Sequence, residues 1–329
     1  MKRHILSIYE GTGLAATFAA TLAVALLVWP PAKAADRHTT FITLGTASGP
    51  IANPLRFQPA NLLRFGDEVI LIDAGDGAPE QLAKAGVSLD TVGTVVISHL
   101  HIDHTGSLFA ILGMRIQTLS PNVLTIYGPP GTKETVDGLI AAAQPFVEAG
   151  AAMRGRSAVR IEDTVKVIEV TDGSTFNIGE VRVTAAANTH FSMSTGRDDQ
   201  LLVSLSYRFD APDRSIVYTG DTGPSTNVER LAHNADLLVS EISDPDLALA
   251  GVKKRRPDLP PGVLSAVEAH FRHEHLDPDQ AGLLAEHAGV KNLVLTHNPI
   301  GFGELDRVKG LIATHYKGPI TFAKDLDQF

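Results

Sequence analysis

The stretch Val95-Val96-Ile97-Ser98-His99-Leu100-His101-Ile102-Asp103-His104-Thr105-Gly106 constrains this chain more than any other. A β-branched run reads as a buried strand and passes directly into three histidines and an aspartate within six positions. Neutral imidazoles and a carboxylate are the ligands that suit zinc and its neighbours. One ion cannot easily use all four, because adjacent side chains on a tight turn diverge. Two ions can, with His99 and His101 facing one and Asp103 and His104 facing the other. A solvated histidine-rich turn is the plainer alternative, but strand ends in α/β folds are the usual place for sites.

The same order recurs along the chain: a β-rich segment, a ligand-type residue, a turn. His190 follows a strand expected at Val181–Ala185, Asp221 follows one at Ser215–Thr219, and His297 follows one at Asn292–Thr296. Further strands are expected at Glu68–Asp73, Thr94–Ser98, Val123–Tyr127, Val165–Val170, Leu201–Tyr207 and Asp236–Glu241. Helices are expected over Thr132–Ala143, Asn227–His233, Pro278–His287 and Gly303–Thr314. Early strands cluster and later ones alternate with helices, which predicts sheets covered by helices on their outer faces. Without internal repeats or a long low-complexity linker, 35–329 reads as a single domain.

Residues 1–34 read as an export signal. A basic start (Lys2, Arg3, His4) precedes the apolar run Leu14–Trp29, a Pro30-Pro31 break and the small-x-small site Ala32-Lys33-Ala34. The run is shorter than the roughly 20 residues a bilayer helix needs. Cleavage near Ala34 is therefore expected, giving a periplasmic or secreted protein with no stable membrane span; an uncleaved anchor is the alternative. The chain of 329 residues has no cysteine, which excludes disulfide scaffolds, thiolate zinc sites, iron–sulfur clusters and cysteine nucleophiles. With 37 acidic and 28 basic side chains its formal charge is −9, which argues against nucleic-acid binding through bulk charge. The oligomeric state stays open, a dimer included.

On the His99–His104 signature HxHxDH, the chain resembles the metallo-β-lactamase superfamily, and the likeness runs from Leu71-Ile72-Asp73-Ala74-Gly75 to His297. The resemblance implies an α/β fold, the four-layer αββα sandwich, with a dinuclear metal site at one edge. It implies His99, His101 and His190 on one ion, Asp103, His104 and His297 on the other, and Asp221 bridging both. Asp73 would support the metal loop from behind. Two divalent cations, zinc first with manganese or iron as alternatives, would activate water for hydrolysis.

Asp236-Leu237-Leu238-Val239-Ser240-Glu241 and His275-Leu276-Asp277-Pro278 are similar to the tRNase Z branch. The likeness implies His275 as general acid and Glu241 as the carboxylate that orients it. Ser240 departs from that branch, which usually has histidine there. The segment between Ala143 and Val165 carries only Arg154, Arg156 and Arg160 as cations, with no long glycine- and lysine-rich arm for tRNA. The remaining basic run, Lys253-Lys254-Arg255-Arg256, reads as a solvated loop with a substrate-attracting rim as the alternative. The expected function is thus cleavage of phosphodiester or aryl sulfate esters by activated water, using Asp103, His275 and Glu241. The expected partner is a small anionic ester, with nucleic acid set aside. The alternatives are a lactonase-type acyl hydrolase and a non-catalytic metal-binding protein.

Overall fold

The computed structural model describes residues 37–153, 160–193 and 202–329. The segment 1–34, Arg154, Arg156 and Leu201 lie outside the described residues. The first sheet is built from β1 (Thr40–Gly45), β2 (Ala60–Phe65), β3 (Glu68–Ala74), β4 (Thr94–Val96), β5 (Leu124–Gly128) and β6 (Val165–Glu169). The second uses β7 (Thr175–Ile178), β8 (Val181–Ala187), β9 (Leu205–Asp210), β10 (Ser215–Tyr218), β11 (Leu237–Glu241), β12 (Leu293–Thr296) and β13 (Ile320–Phe322). The final strand, β14 (Asp327–Gln328), crosses back to the first sheet and pairs antiparallel with β1. Each sheet is mixed. β3 to β6 run parallel, as do β10 to β13, and the flanking strands are antiparallel.

Side-chain alternation along these strands divides the interior into three cores. Ile70 and Ile72 of β3 point between the sheets, with Ile216 and Tyr218 of β10 opposite. Leu71 points outward instead, under α1 (Ala78–Lys84), α3 (Leu108–Gln117) and α4 (Thr132–Met153), which supply Leu82, Ile111 and Ile140. Val217 and Leu238 pack under α5 (Thr226–Leu231), α8 (Pro278–Ala288) and α9 (Leu305–His315), through Leu231, Leu284 and Ile312. Helix, sheet, sheet, helix is the αββα sandwich that the family resemblance implied, and it fits the helix-covered sheets expected from the strand pattern. The one-turn α2 (Ile102–Thr105) lies inside the histidine motif.

Several elements differ from the expectation. β1, β2, β7, β13 and β14 carry no strong alternation signal and were not anticipated. α4 continues ten residues past Ala143 and through Pro145. The basic run is no loop: Lys253, Lys254 and Arg255 form the last turn of α6 (Pro245–Arg255), where cations suit the helix dipole. Pro261 opens α7 (Pro261–His273) from its first turn. Among the described residues no helix is long and apolar enough to cross a membrane.

Candidate metal centre and acid–base pair

The parallel strands of both sheets deliver their C-terminal ends to one edge, where such sheets usually carry their sites. β3 carries Asp73 next to its end, β4 leads into His99 to His104, β10 into Asp221, β11 ends in Glu241 and β12 leads into His297. β8 brings His190 to the same edge. Asp73 and His297 both have left-handed backbone (φ 57° and 44°), a strain of about 1–2 kcal/mol each for a residue with a Cβ. Gly220, at φ 58°, precedes Asp221 in the same conformation, and a Cβ there would come within 2.8 Å of Ser98 Cβ.

Two triads of ligand-type atoms result. His99 Nε2 lies 3.0 Å and His190 Nε2 3.2 Å from His101 Nδ1. Asp103 Oδ2 lies 3.4 Å from His297 Nε2 and 3.6 Å from His104 Nε2. Asp221 stands between them. Its Oδ1 is 3.4 Å from His104 and its Oδ2 3.4 Å from His297 and 3.9 Å from both His99 and His190. All seven residues are buried except His101, which is exposed at the cavity.

The rings are aimed from behind. Asp73 accepts from His104 Nδ1 at 2.7 Å, and the Glu274 carbonyl accepts from His190 Nδ1 at 2.9 Å. Each bond fixes the proton on Nδ1 and turns the Nε2 lone pair into the cluster. Burial pushes His99 and His190 well below the ordinary imidazole value, so both are neutral, the form that binds metal. Burial works against ionising Asp103, but the hydrogen bond with His297 outweighs it and the carboxyl is held at about 2.

These residues fit divalent cations. His104 Nε2 and Asp221 Oδ1 are fully buried and have no hydrogen-bond partner, a costly arrangement unless something charged sits between them. Three imidazole nitrogens, His99 Nε2, His101 Nδ1 and His190 Nε2, converge on one point, the arrangement a single cation would join. His99, His101 and His190, like Asp103, His104 and His297, place one ligand atom each within 4.8 Å of the others.

Beside this cluster His275 Nδ1 lies 2.8 and 3.0 Å from the two Glu241 oxygens, and Glu241 Oε1 also accepts from Thr222 N. Burial opposes charge on His275, yet the charge and hydrogen bond of Glu241 reverse it and raise the imidazole to about 9. His275 is placed by α8. Asp277 caps its N-terminus by accepting from Gln280 N, and the Gln280 side chain accepts from Asp277 N in return, with Pro278 in the first turn. Two residues escaped the sequence reading, His270 and Glu274. The buried Glu274 carboxylate accepts from His270 Nδ1 at 2.6 Å, and His270 Nε2 lies 3.3 Å from His275 Nε2. Their signal was present as a histidine and a glutamate one helical turn apart just before His275. A cavity of about 640 Å³ joins His270, His275 and the metal cluster to a wall from α6 and α7 that includes Arg255 and Phe271.

Fold and cluster together define a metallo-β-lactamase-type protein, and the chain belongs to the β-lactamase superfamily, whose domain matches residues 68–298. It is 30% identical over 288 residues to Ribonuclease Z of Mycobacterium avium (strain 104), covering 86% of this chain and 95% of that protein. In fold it is similar to the metallo-β-lactamase fold protein YhfI of Bacillus subtilis (TM-score 0.63, 20% identity, 88% of this chain and 98% of the other). It is also similar to the short form of human tRNase Z (TM-score 0.57, 21% identity, 88% and 98%). The relatives named Ribonuclease Z overturn the expectation that set nucleic acid aside as a partner. Net charge misled because it averages over the surface, whereas Lys253, Lys254 and Arg255 gather at one helix end and Arg255 lines the cavity.

Proposed function

We propose that the chain is a metal-dependent phosphodiester hydrolase acting on RNA, with His99, His101 and His190 holding one divalent ion, Asp103, His104 and His297 a second, and Asp221 shared. Imidazole and carboxylate ligands favour zinc and also accept manganese or iron. Bound there, such ions supply Lewis acidity toward a phosphoryl oxygen and ease the deprotonation of a water. Asp103, ionised and lining the cavity, orients the attacking water. His275 gives its Nε2 proton to the departing oxygen as the P–O bond breaks, and Glu241 keeps that imidazole charged and aimed. The ribonuclease names of the relatives support RNA as substrate, and a cationic helix end beside the cavity suits a polyanion.

The observation that carries the proposal is the buried His275–Glu241 pair, whose His275 lines the same cavity as His101, Asp103, His190, Asp221 and His297. An alkoxide leaving from phosphorus needs that acid, whereas an acyl hydrolase has no evident use for it. Metal-analysed protein is assayed on bis-p-nitrophenyl phosphate, an RNA oligonucleotide, p-nitrophenyl sulfate and a lactone, with and without chelator. Metal-dependent turnover of the phosphodiesters is expected, and His275→Ala should lower it by roughly 10²–10⁴-fold. Turnover of the sulfate or the lactone alone would replace the proposal. The basic, apolar and small-residue pattern of residues 1–34 supports export before the enzyme acts. N-terminal sequencing of protein from fractionated cells tests it, with a mature start just after Ala34 expected.

A further inference from the structure

Two histidine–glutamate pairs stand face to face in the cavity, and the mechanism above uses only one. His270 projects from the last turn of α7, with about a third of its side chain exposed. The Glu274 carboxylate that accepts a hydrogen bond from its Nδ1 is buried and held in place by a second donor, Met193 N at 2.7 Å. At 3.3 Å only one of the two facing Nε2 atoms can hold a proton toward the other, and with His275 assigned as the acid it is His270 Nε2 that accepts. His275 is the opposite case. Its Nδ1 also faces a carboxylate, but its Nε2 is the donor that reaches His270 Nε2 across 3.3 Å. A donor and an acceptor therefore lie side by side, separated by roughly one hydrogen-bond length.

We propose that His270 is a specificity-determining residue that accepts a hydrogen bond from a hydroxyl on the carbon next to the leaving oxygen, the 2′-hydroxyl of a ribonucleotide whose O3′ departs. The inference rests on the phosphodiester assignment above. With substrate bound, O3′ takes the proton offered by His275, and the neighbouring 2′-hydroxyl donates to His270, so two vicinal oxygens replace the contact between the rings. A 2′-deoxyribose has no donor there and leaves His270 Nε2 unanswered. The 2′-hydroxyl is the group by which a protein tells RNA from DNA. Phe271, on the same wall of the cavity, offers the attached base a ring to stack on.

The test uses metal-loaded full-length enzyme and two oligonucleotides that differ only in ribose or 2′-deoxyribose at the leaving nucleotide. The wild-type kcat/KM should favour ribose by roughly ten- to a hundred-fold, the cost of leaving one sheltered acceptor unpaired. His270→Ala should bring the two substrates level, and His270→Gln, which keeps an acceptor oxygen, should recover part of the preference. A ribose preference that persists undiminished in His270→Ala overturns the inference and leaves the phosphodiester assignment standing. Failure of wild-type enzyme to cleave either oligonucleotide overturns both.

Discussion

Replacing Asp73 by asparagine keeps the shape of the side chain and removes only its charge and one acceptor. In the wild type the carboxylate is fully buried and accepts from Ser98 N (2.7 Å), Ser98 Oγ (2.8 Å), His104 Nδ1 (2.7 Å) and the Tyr218 hydroxyl (2.8 Å). If the amide oxygen faces Ser98 N, the amide NH₂ meets the three donors that converge on Oδ2. The two hydroxyls can rotate, but His104 can comply only by moving its proton to Nε2, which aims it at the metal position. If the amide is flipped, its NH₂ opposes the Ser98 N–H instead. One buried donor is unpaired either way, at about 1–3 kcal/mol, and the surviving bonds lose charge assistance worth about 1 kcal/mol each. The sum is about 3–5 kcal/mol, the usual cost of breaking a buried charged contact. Metal affinity should fall by about 10–100-fold, because His104 is no longer held in its ligand tautomer. Urea denaturation of metal-free protein measures the first quantity, and titration against a competing chelator measures the second. A variant within about 1 kcal/mol of wild type that binds metal equally well would refute the account of Asp73 as the group that sets His104.

The remaining predictions concern the same edge of the sheets. His275 is raised to about 9 against an ordinary value near 6.5. Its pairing with Glu241 therefore stabilises the fold fully below about pH 6.5 and is lost as pH rises through about 9, and kcat should fall over that upper limb as the acid loses its proton. Asp277→Ala removes the cap of α8, at about 1 kcal/mol, and should lower kcat by more than the stability loss alone explains, since His275 stands two residues upstream; paired denaturation and rate measurements check it. Stripping metal with a chelator should lower Tm, because a ligand at a thousand times its Kd contributes about 4 kcal/mol to the folded state; a Tm that ignores chelation would count against a resident ion.

What was legible in the sequence follows the strength of each local signal. The strand-then-ligand pattern at His99–His104, His190, Asp221 and His297 was readable because buried parallel strands are short apolar runs and their ends are turns. The capped start at Asp277-Pro278 was readable for the same local reason. β1 and β2 were not: burial on both faces leaves no alternation, and unlike the parallel strands neither leads into a site residue that would mark its end. α6 and α7 were hidden by charge and proline, which sequence rules assign to loops, although Pro245 and Pro261 stand in first helical turns. Glu274 lay beyond reach for a different reason. Its roles, a carbonyl that holds His190 and a carboxylate that holds His270, join residues 84 positions apart and within one helix at once.

Each half of the sandwich carries an incomplete coordination set. His99, His101, Asp103 and His104 belong to the first sheet, and His190, Asp221 and His297 to the second. Any ion held here is consequently a rivet across the seam, and neither layer can slide against the other without tearing ligands from it. Loss of the cation should then be felt first as shear between the layers, well before either one unravels.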